Sequence, residues 1–199
     1  IEGTINDLDA SSLFIQLGNR ALLRGDFYSE DLAEKGKQKI QLNIRSLDTR
    51  FNTLRTLLPK FDPPPAYDRL GQIHFEGNYD GTFEEFTASG LMDTELGRAE
   101  MDIDMSLHGG RENAEYSGDL SLSEFDLGTF SGNQNFGQVG FSATVNNGSG
   151  LTLEALNAKL DGKVDYLNYK GYTYQNIDID GLYQGQEFEG KLAIEDPNI

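Results

Sequence analysis

The stretch Met101-Asp-Ile-Asp-Met-Ser-Leu-His108 decides the fold class. Met101, Ile103, Met105 and Leu107 alternate with Asp102, Asp104, Ser106 and His108, so an extended chain sends apolar groups to one side and polar groups to the other. Working outward, the same period of two recurs. Ile40, Leu42 and Ile44 alternate with Gln41, Asn43 and Arg45; Ile73, Phe75, Gly77 and Tyr79 alternate with Gln72, His74, Glu76 and Asn78. Val139, Phe141, Ala143 and Val145 repeat the pattern, as do Tyr116, Leu120 and Leu122 around Gly118, and Phe188, Leu192 and Ile194 around Gly190. One dry face and one wet face per strand is antiparallel-sheet behaviour. Turn signals at Asn78–Gly81, His108–Gly110, Asn146–Gly148 and Asp161-Gly162 predict hairpins, hence a meander.

Helical spacing appears once. Leu47, Phe51, Leu54 and Leu58 lie one face apart, with Asp48 or Thr49 to cap and Pro59 to stop, which predicts one short helix within 46–60. The run Phe61-Asp-Pro-Pro-Pro-Ala66 cannot feed a β ladder and reads as a stiff connector. The expected organisation is therefore 1–60, the end of one β unit plus its helix; 61–66, the connector; and 67–199, a longer β unit.

Composition narrows the function. The 199 residues carry a formal charge of −17, with 23 Gly, 12 Phe and 9 Tyr but no Cys and no Trp. That charge argues against a nucleic-acid partner, which needs a surplus of Lys and Arg. Without cysteine there are no disulfides, thiolate metal sites or thiol nucleophiles. No apolar run approaches the ~20 residues of a membrane helix. A chain beginning Ile1-Glu-Gly, without a signal peptide, reads as a piece cut from a longer protein.

An aromatic-x-glycine phrase recurs at Phe75/Gly77, Tyr79/Gly81, Tyr116/Gly118, Tyr169/Gly171 and Phe188/Gly190. In a strand the two positions share a face, so glycine makes room for a neighbouring ring or lets the sheet bend, and a strongly curved sheet is expected. At Asp80-Gly81 a simple turn is the expectation.

Sites of chemistry are scarce. Asn176, Asp178, Asp180, Gly181 and Glu187 match EF-hand positions one, three, five, six and twelve. Ile177 and Ile179 alternate with them and no helix flanks them, so a strand is the better reading. The carboxylate pairs Asp102/Asp104 and Glu187/Glu189 read as a solvated face rather than a glycosidase dyad. His74 and His108 fall on polar faces with no nucleophile elbow to serve. Arg24-Gly25-Asp26 is a tripeptide ending a strand, and the glycosylation pattern Asn147-Gly148-Ser149 closes a hairpin. No catalytic residue, metal site or cofactor is expected.

Three groups of phrases resemble a known family. They are Leu70-Gly71-Gln-Ile-His-Phe75-Glu-Gly77 with Phe86–Gly90 and Thr94–Gly97; Tyr116–Gly128; and Gly171–Ile177 with Gly190–Asn198. Together they resemble the TamB-type translocation and assembly module of Bacteroidetes, within the AsmA-like superfamily, best over 70–199. The resemblance implies an all-β, elongated, strongly curved antiparallel sheet, a β-taco forming an open U-shaped groove. It also implies a periplasmic protein anchored in the inner membrane through a segment absent from this chain. Its expected partners are phospholipid and an outer-membrane barrel insertase of the BamA/TamA type, with roles in lipid transport and outer-membrane biogenesis. The lipid-groove residues are then Ile73, Phe75, Met101, Ile103, Met105, Leu107, Tyr116, Leu120, Val139, Phe141, Leu151, Leu153, Ile177, Ile179, Phe188 and Leu192. Two rivals stand beside this: a sealed β scaffold or chaperone for outer-membrane proteins, and a carbohydrate-binding or hydrolase sandwich.

Overall fold

The computed structural model describes residues 2–4, 6–34, 36–57, 65–151, 155–185 and 187–197. Its strands are β1 (Glu2–Gly3), β2 (Leu8–Leu17), β3 (Ala21–Glu30), β4 (Lys39–Thr49), β5 (Ile73–Gly81) and β6 (Glu85–Thr94), continuing with β7 (Gly97–Ser106), β8 (Glu115–Asp126), β9 (Phe136–Ser149), β10 (Asn157–Tyr169), β11 (Tyr172–Gln184) and β12 (Glu187–Ile194). Their spatial order is their chain order, 1 to 12, with every neighbour antiparallel. The sheet is open: β12 and β2 do not meet. The alternation of period two is therefore expressed as an all-β meander. The ladder continues from β4 to β5 across the proline-rich segment.

Two short helices join the sheet. Helix α1 covers Phe51–Leu57, and α2 covers Leu127–Ser131. The second was not foreseen. Its local cause is Asp126, whose carboxylate accepts from the Thr129 backbone N–H at 2.8 Å and from its hydroxyl at 2.7 Å. Gly132, at φ 75°, ends it. The helix expected over 46–60 begins later than its spacing implied. Leu47, Asp48 and Thr49 belong to β4, where they pair with Phe75, His74 and Ile73 of β5. Leu58 and Pro59 lie outside the described residues, as does most of the connector; its Pro65-Ala66 opens a 3-10 helix, Pro65–Leu70.

Three expected turns are strand instead. Asn78–Gly81 completes β5, with Asp80 opposite Gln41 and Thr87, and Asp161-Gly162 lies inside β10. Asn146–Gly148 runs through β9, where Asn147 takes a φ of 53° and the register shifts by one residue. This is a bulge, not a hairpin. Asn-Gly favours positive φ, and both devices need that conformation, so the dipeptide alone does not separate them. Arg24-Gly25-Asp26 likewise sits inside β3 rather than at its end.

The protein exposes 12561 Å², whereas a compact globule of 22.1 kDa exposes about 9,300 Å². The tight core is small and lies at one end of the apolar face. Phe51, Leu70, Ile73, Phe125 and Val139 are buried together there. Their rings interlock edge to face: Phe51 to Tyr67 at 5.0 Å, Tyr67 to Phe130 at 5.7 Å, and Phe130 to Phe125 at 5.3 Å. Phe51 follows β4 while Phe125 ends β8, four inter-strand steps or roughly 19 Å away in a flat sheet. The two helices and the 3-10 turn thus plug this end and tie distant strands together.

Ile73 is 2 % exposed within that plug. Ile73→Ala should cost about 2–4 kcal/mol, because a cavity forms among side chains that cannot collapse. Urea denaturation measures it, and a loss below about 1 kcal/mol would contradict a packed plug.

Candidate functional site

The candidate site is the apolar face, which runs outward from the plug across the sheet; Phe75, Met92, Leu122, Phe141 and Val164 pack against the plug. One row crosses the sheet at right angles to the strands: Ile15, Leu23, Leu47, Phe75, Met92, Ala99, Leu122, Phe141, Val164, Ile177 and Ile194 stand opposite one another from β2 to β12. Beside it runs Leu13, Gly25, Ile44, Gly77, Gly90, Met101, Leu120, Ala143, Gly162, Ile179 and Leu192. Ten inter-strand steps span roughly 48 Å. Most of these side chains are half-buried, shielded by one another rather than by a second layer. At the β12 end shielding falls away, and Leu192 is 57 % exposed.

Glycines shape this floor. A Cβ on Gly77 or Gly90 would fall 2.6 Å from the Phe75 ring, on Gly148 2.3 Å from the Tyr116 ring, and on Gly181 2.5 Å from the Phe188 ring. Each aromatic lies flat over a glycine of its own or the neighbouring strand, covering backbone that would otherwise be bare. The aromatic-x-glycine phrase thus serves close ring-on-strand contact at Phe75 and Phe188. At Tyr116 the ring covers Gly148, while its phrase partner Gly118 takes a φ of 142°. Tyr79 stacks on Phe86 at 4.8 Å and donates its hydroxyl to the Thr82 carbonyl. Burial raises the pKa of both Tyr79 and Tyr116, so their hydroxyls stay neutral donors.

Of the expected groove residues, Ile73, Phe75, Met101, Ile103, Met105, Tyr116, Leu120, Val139, Phe141, Ile177, Ile179, Phe188 and Leu192 share this face by register. Ile73 and Val139 belong to the sealed plug, and Phe75 and Phe141 pack against it. Leu107 follows β7, its backbone N–H donating to the Glu84 carbonyl at 2.6 Å; Leu151 is exposed beyond β9; Leu153 lies outside the described residues. The groove set omitted the contribution of β2 to β4: Leu13, Ile15, Leu23, Phe27, Leu42 and Ile44. The signal was a three-residue step between apolar positions, as in Ala10 to Leu13 and Ile44 to Leu47, which marks a bulge.

The other face is acidic. Asp102, Asp119, Thr144, Asp161, Asp180 and Lys191 form a cross-strand row over β7 to β12. They line an open hollow of about 820 Å³ together with Glu100, Lys163 and Asp178. A twisted sheet is saddle-shaped, so its wet face also has a concave diagonal. Among the described residues no group of His, Asp and Glu is placed to hold a metal ion. Asn176, Asp178 and Asp180 lie in β11 and Glu187 opens β12, so the calcium-like spacing belongs to a hairpin of strands.

His74 is a titrating junction on the polar face. Its Nδ1 meets Asp48 at 2.8 Å and its Nε2 meets Glu76 at 3.2 Å. The Asp48 hydrogen bond, then the Glu76 one, raises the His74 pKa, and the His74 bond chiefly lowers that of Asp48. His108 meets Ser106 at 2.9 Å and Glu84 at 4.0 Å.

Comparison with known proteins returned no matching family model, no matching curated protein and no matching solved structure.

The His74 contribution has a defined pH window. A raised folded pKa adds stability fully below the unfolded value, near 6.5, and loses it as pH rises through the folded value. The lowered Asp48 pKa acts oppositely, losing its contribution as pH falls through that value. The pair is therefore strongest between about pH 4 and 6.5. Both groups are more than a third exposed, so His74→Gln should cost less than about 1 kcal/mol at pH 5.5 and nothing measurable at pH 9. Denaturation at the two pH values tests it, and an equal loss at both would contradict the charged pair.

Proposed function

We propose that this chain is a non-enzymatic carrier segment whose apolar face holds lipid acyl chains. One observation carries the reading: the sheet has a single layer, and among the described residues nothing but the plug covers its continuous apolar face. Soluble proteins rarely expose contiguous apolar patches beyond a few hundred Å², and larger ones mark binding sites. The rows run across the strands, which is the direction an extended chain would follow. A lipid tail of half-bilayer length, about 15 Å, covers three or four strands. Each methylene removed from water contributes roughly 0.8 kcal/mol.

The TamB-like phrases fit the same reading. On it, the chain is part of a periplasm-spanning protein that works with an outer-membrane barrel insertase of the BamA/TamA type and phospholipid. The sealed-scaffold alternative needs a second layer over the face, and among the described residues only the end plug covers it. The Ser-His-carboxylate grouping of Ser106 with His108 and Glu84 lies at an exposed turn with the carboxylate 4.0 Å from the imidazole, which gives a hydrolase reading little support.

Ile103 tests the proposal, since it lies on the track outside the plug. Ile103→Asp on an open face leaves the carboxylate within reach of water, so the fold should survive with a loss below about 2 kcal/mol, against several kcal/mol for an unpaired charge in a sealed interior. Lipid adducts formed by a photo-crosslinking residue at 103 or 141 should appear in cells, and Ile103→Asp should reduce those captured at 141. A folded variant without adducts at either position would remove the carrier role, and an unfolded variant would point to a sealed face.

A further inference from the structure

Three open hollows on this protein are lined by carboxylates, among them Asp102 and Asp161, Asp104 and Glu115, and Asp9 and Asp26. A fourth, of about 880 Å³, lies between the β2–β3 turn and α1 and has no described carboxylate in its lining. It gathers Arg20 and Arg50 with the amides of Asn19, Asn52 and Gln72 and the hydroxyl of Thr53. Two arginines on one hollow, with no acid in its walls, repel each other unless something negative sits there. In a chain of charge −17, such a place is the exception.

The fold holds the pair in place. The Arg20 backbone N–H donates to the Leu17 carbonyl at 3.0 Å, closing the turn. The Arg20 carbonyl accepts the Thr49 hydroxyl at 3.3 Å, and Thr49, 1 % exposed, ends β4 directly before Arg50. Both arginines therefore leave backbone that one buried bond ties together. Their side chains are less committed than others. Arg45, Arg55, Arg69 and Arg98 each hold a carboxylate or carbonyl oxygen at 2.6 to 3.3 Å. Among the described residues the Arg20 guanidinium has no hydrogen-bond or ion-pair partner. Arg50 reaches Glu95 at 3.6 Å, and that same carboxylate oxygen accepts the Gln72 backbone N–H at 3.0 Å. On α1 the Thr53 hydroxyl donates to Asn52 Oδ1 at 3.3 Å, which leaves the Asn52 amide hydrogens as donors.

We propose that this hollow is a binding site for a phosphate group. A guanidinium fork matches two phosphate oxygens at once, and side-chain amides can serve the remaining acceptors. The donors are side chains, and nothing is asked of the end of so short a helix. Leu17 lines the same hollow and, two residues from Ile15, shares the apolar face where the cross-strand row begins. A lipid phosphate docked here would lay its tail on that face, an assignment that rests on the carrier reading. A free phosphate ester needs the donors alone.

Two-dimensional NMR of the 199-residue chain, titrated with inorganic phosphate at a constant ~0.1 M ionic strength, reads the site. Saturable shifts are expected at the Arg20 and Arg50 side-chain N–H groups and at the Asn52 amide, with a dissociation constant of roughly 1–10 mM. Arg20→Gln and Arg50→Gln should each weaken binding about fivefold or more, whereas Lys170→Gln, at the β10–β11 turn, should leave it unchanged. Both arginines are exposed, so the variants should keep the parent amide spectrum elsewhere. Glycerol phosphate and a dihexanoyl phospholipid below its micelle concentration separate the two sources. A lipid source predicts binding at least about tenfold tighter for the phospholipid, with added shifts at the Ile15 and Leu17 methyls. Equal binding without methyl shifts keeps the phosphate site and removes the lipid tail from it. No saturable shift with phosphate, or shifts that survive both arginine substitutions, would overturn the site, whatever the apolar face carries.

Discussion

Everything in this sheet depends on keeping apolar side chains on one side while the strands bend. A β-strand alternates strictly, so any single inserted residue exchanges the faces. The long strands insert residues where the bend requires them and resume alternation with apolar groups back on the dry side. Ala10 steps to Leu13, Ile44 to Leu47, Leu122 to Phe125 and Val164 to Leu167, and register shifts mark each step. Four residues at or beside such interruptions, Ser12, Glu124, Asn147 and Asn176, hold positive φ. Glu124 is fixed there by the Tyr166 hydroxyl, which accepts its backbone N–H at 2.9 Å. Bulges increase local twist and bend the strand. Curvature and one-sidedness therefore have the same cause.

The energetic consequence is a protein with little deep core for its size. Half-buried side chains on an open face contribute less than buried ones, because only part of their apolar area leaves water. The plug offsets this at one end, where three aromatic contacts link α1, the 3-10 turn and α2 over Ile73 and Val139. Arg69 adds a 2.7 Å bond to the Phe130 carbonyl, and Glu95 N–H donates to the Leu70 carbonyl at 3.1 Å. On the wet face the like charges opposite each other, Asp102 with Asp119 and Asp161 with Asp180, oppose folding slightly. A face that holds something else between its apolar rows would recover part of what the open architecture leaves unburied.

Much of this was legible in the sequence. Period-two alternation located most strands, and the order of hairpins followed from short spacing. The aromatic-x-glycine phrase pointed to close ring packing, found at Phe75, Tyr116 and Phe188. What escaped has physical reasons. Asn147-Gly148 favours positive φ, which serves a bulge as well as a turn, and Asp80-Gly81 and Asp161-Gly162 are strand pairs whose aspartates stand on the wet face and whose glycines leave room on a crowded floor. Leu47 has helical spacing from Phe51 only because β4 ends just before α1 begins. Helix α2 is a single turn, too short for periodicity, and only the cap Asp126 with Thr129 announces it. The hollow on the acidic face arises from twist, which no single strand encodes.

The central claim is that the apolar face beyond the plug lies open while the plug is closed. Methyl resonances of Ile, Leu, Val and Met can be followed as a soluble paramagnetic agent is added. The account predicts strong broadening at Met101, Ile103, Leu120, Ile179 and Leu192, little at Leu70, Ile73 and Val139, and recovery of the first group when phospholipid is supplied. Uniform protection of both groups in the lipid-free protein would show a sealed face and contradict it.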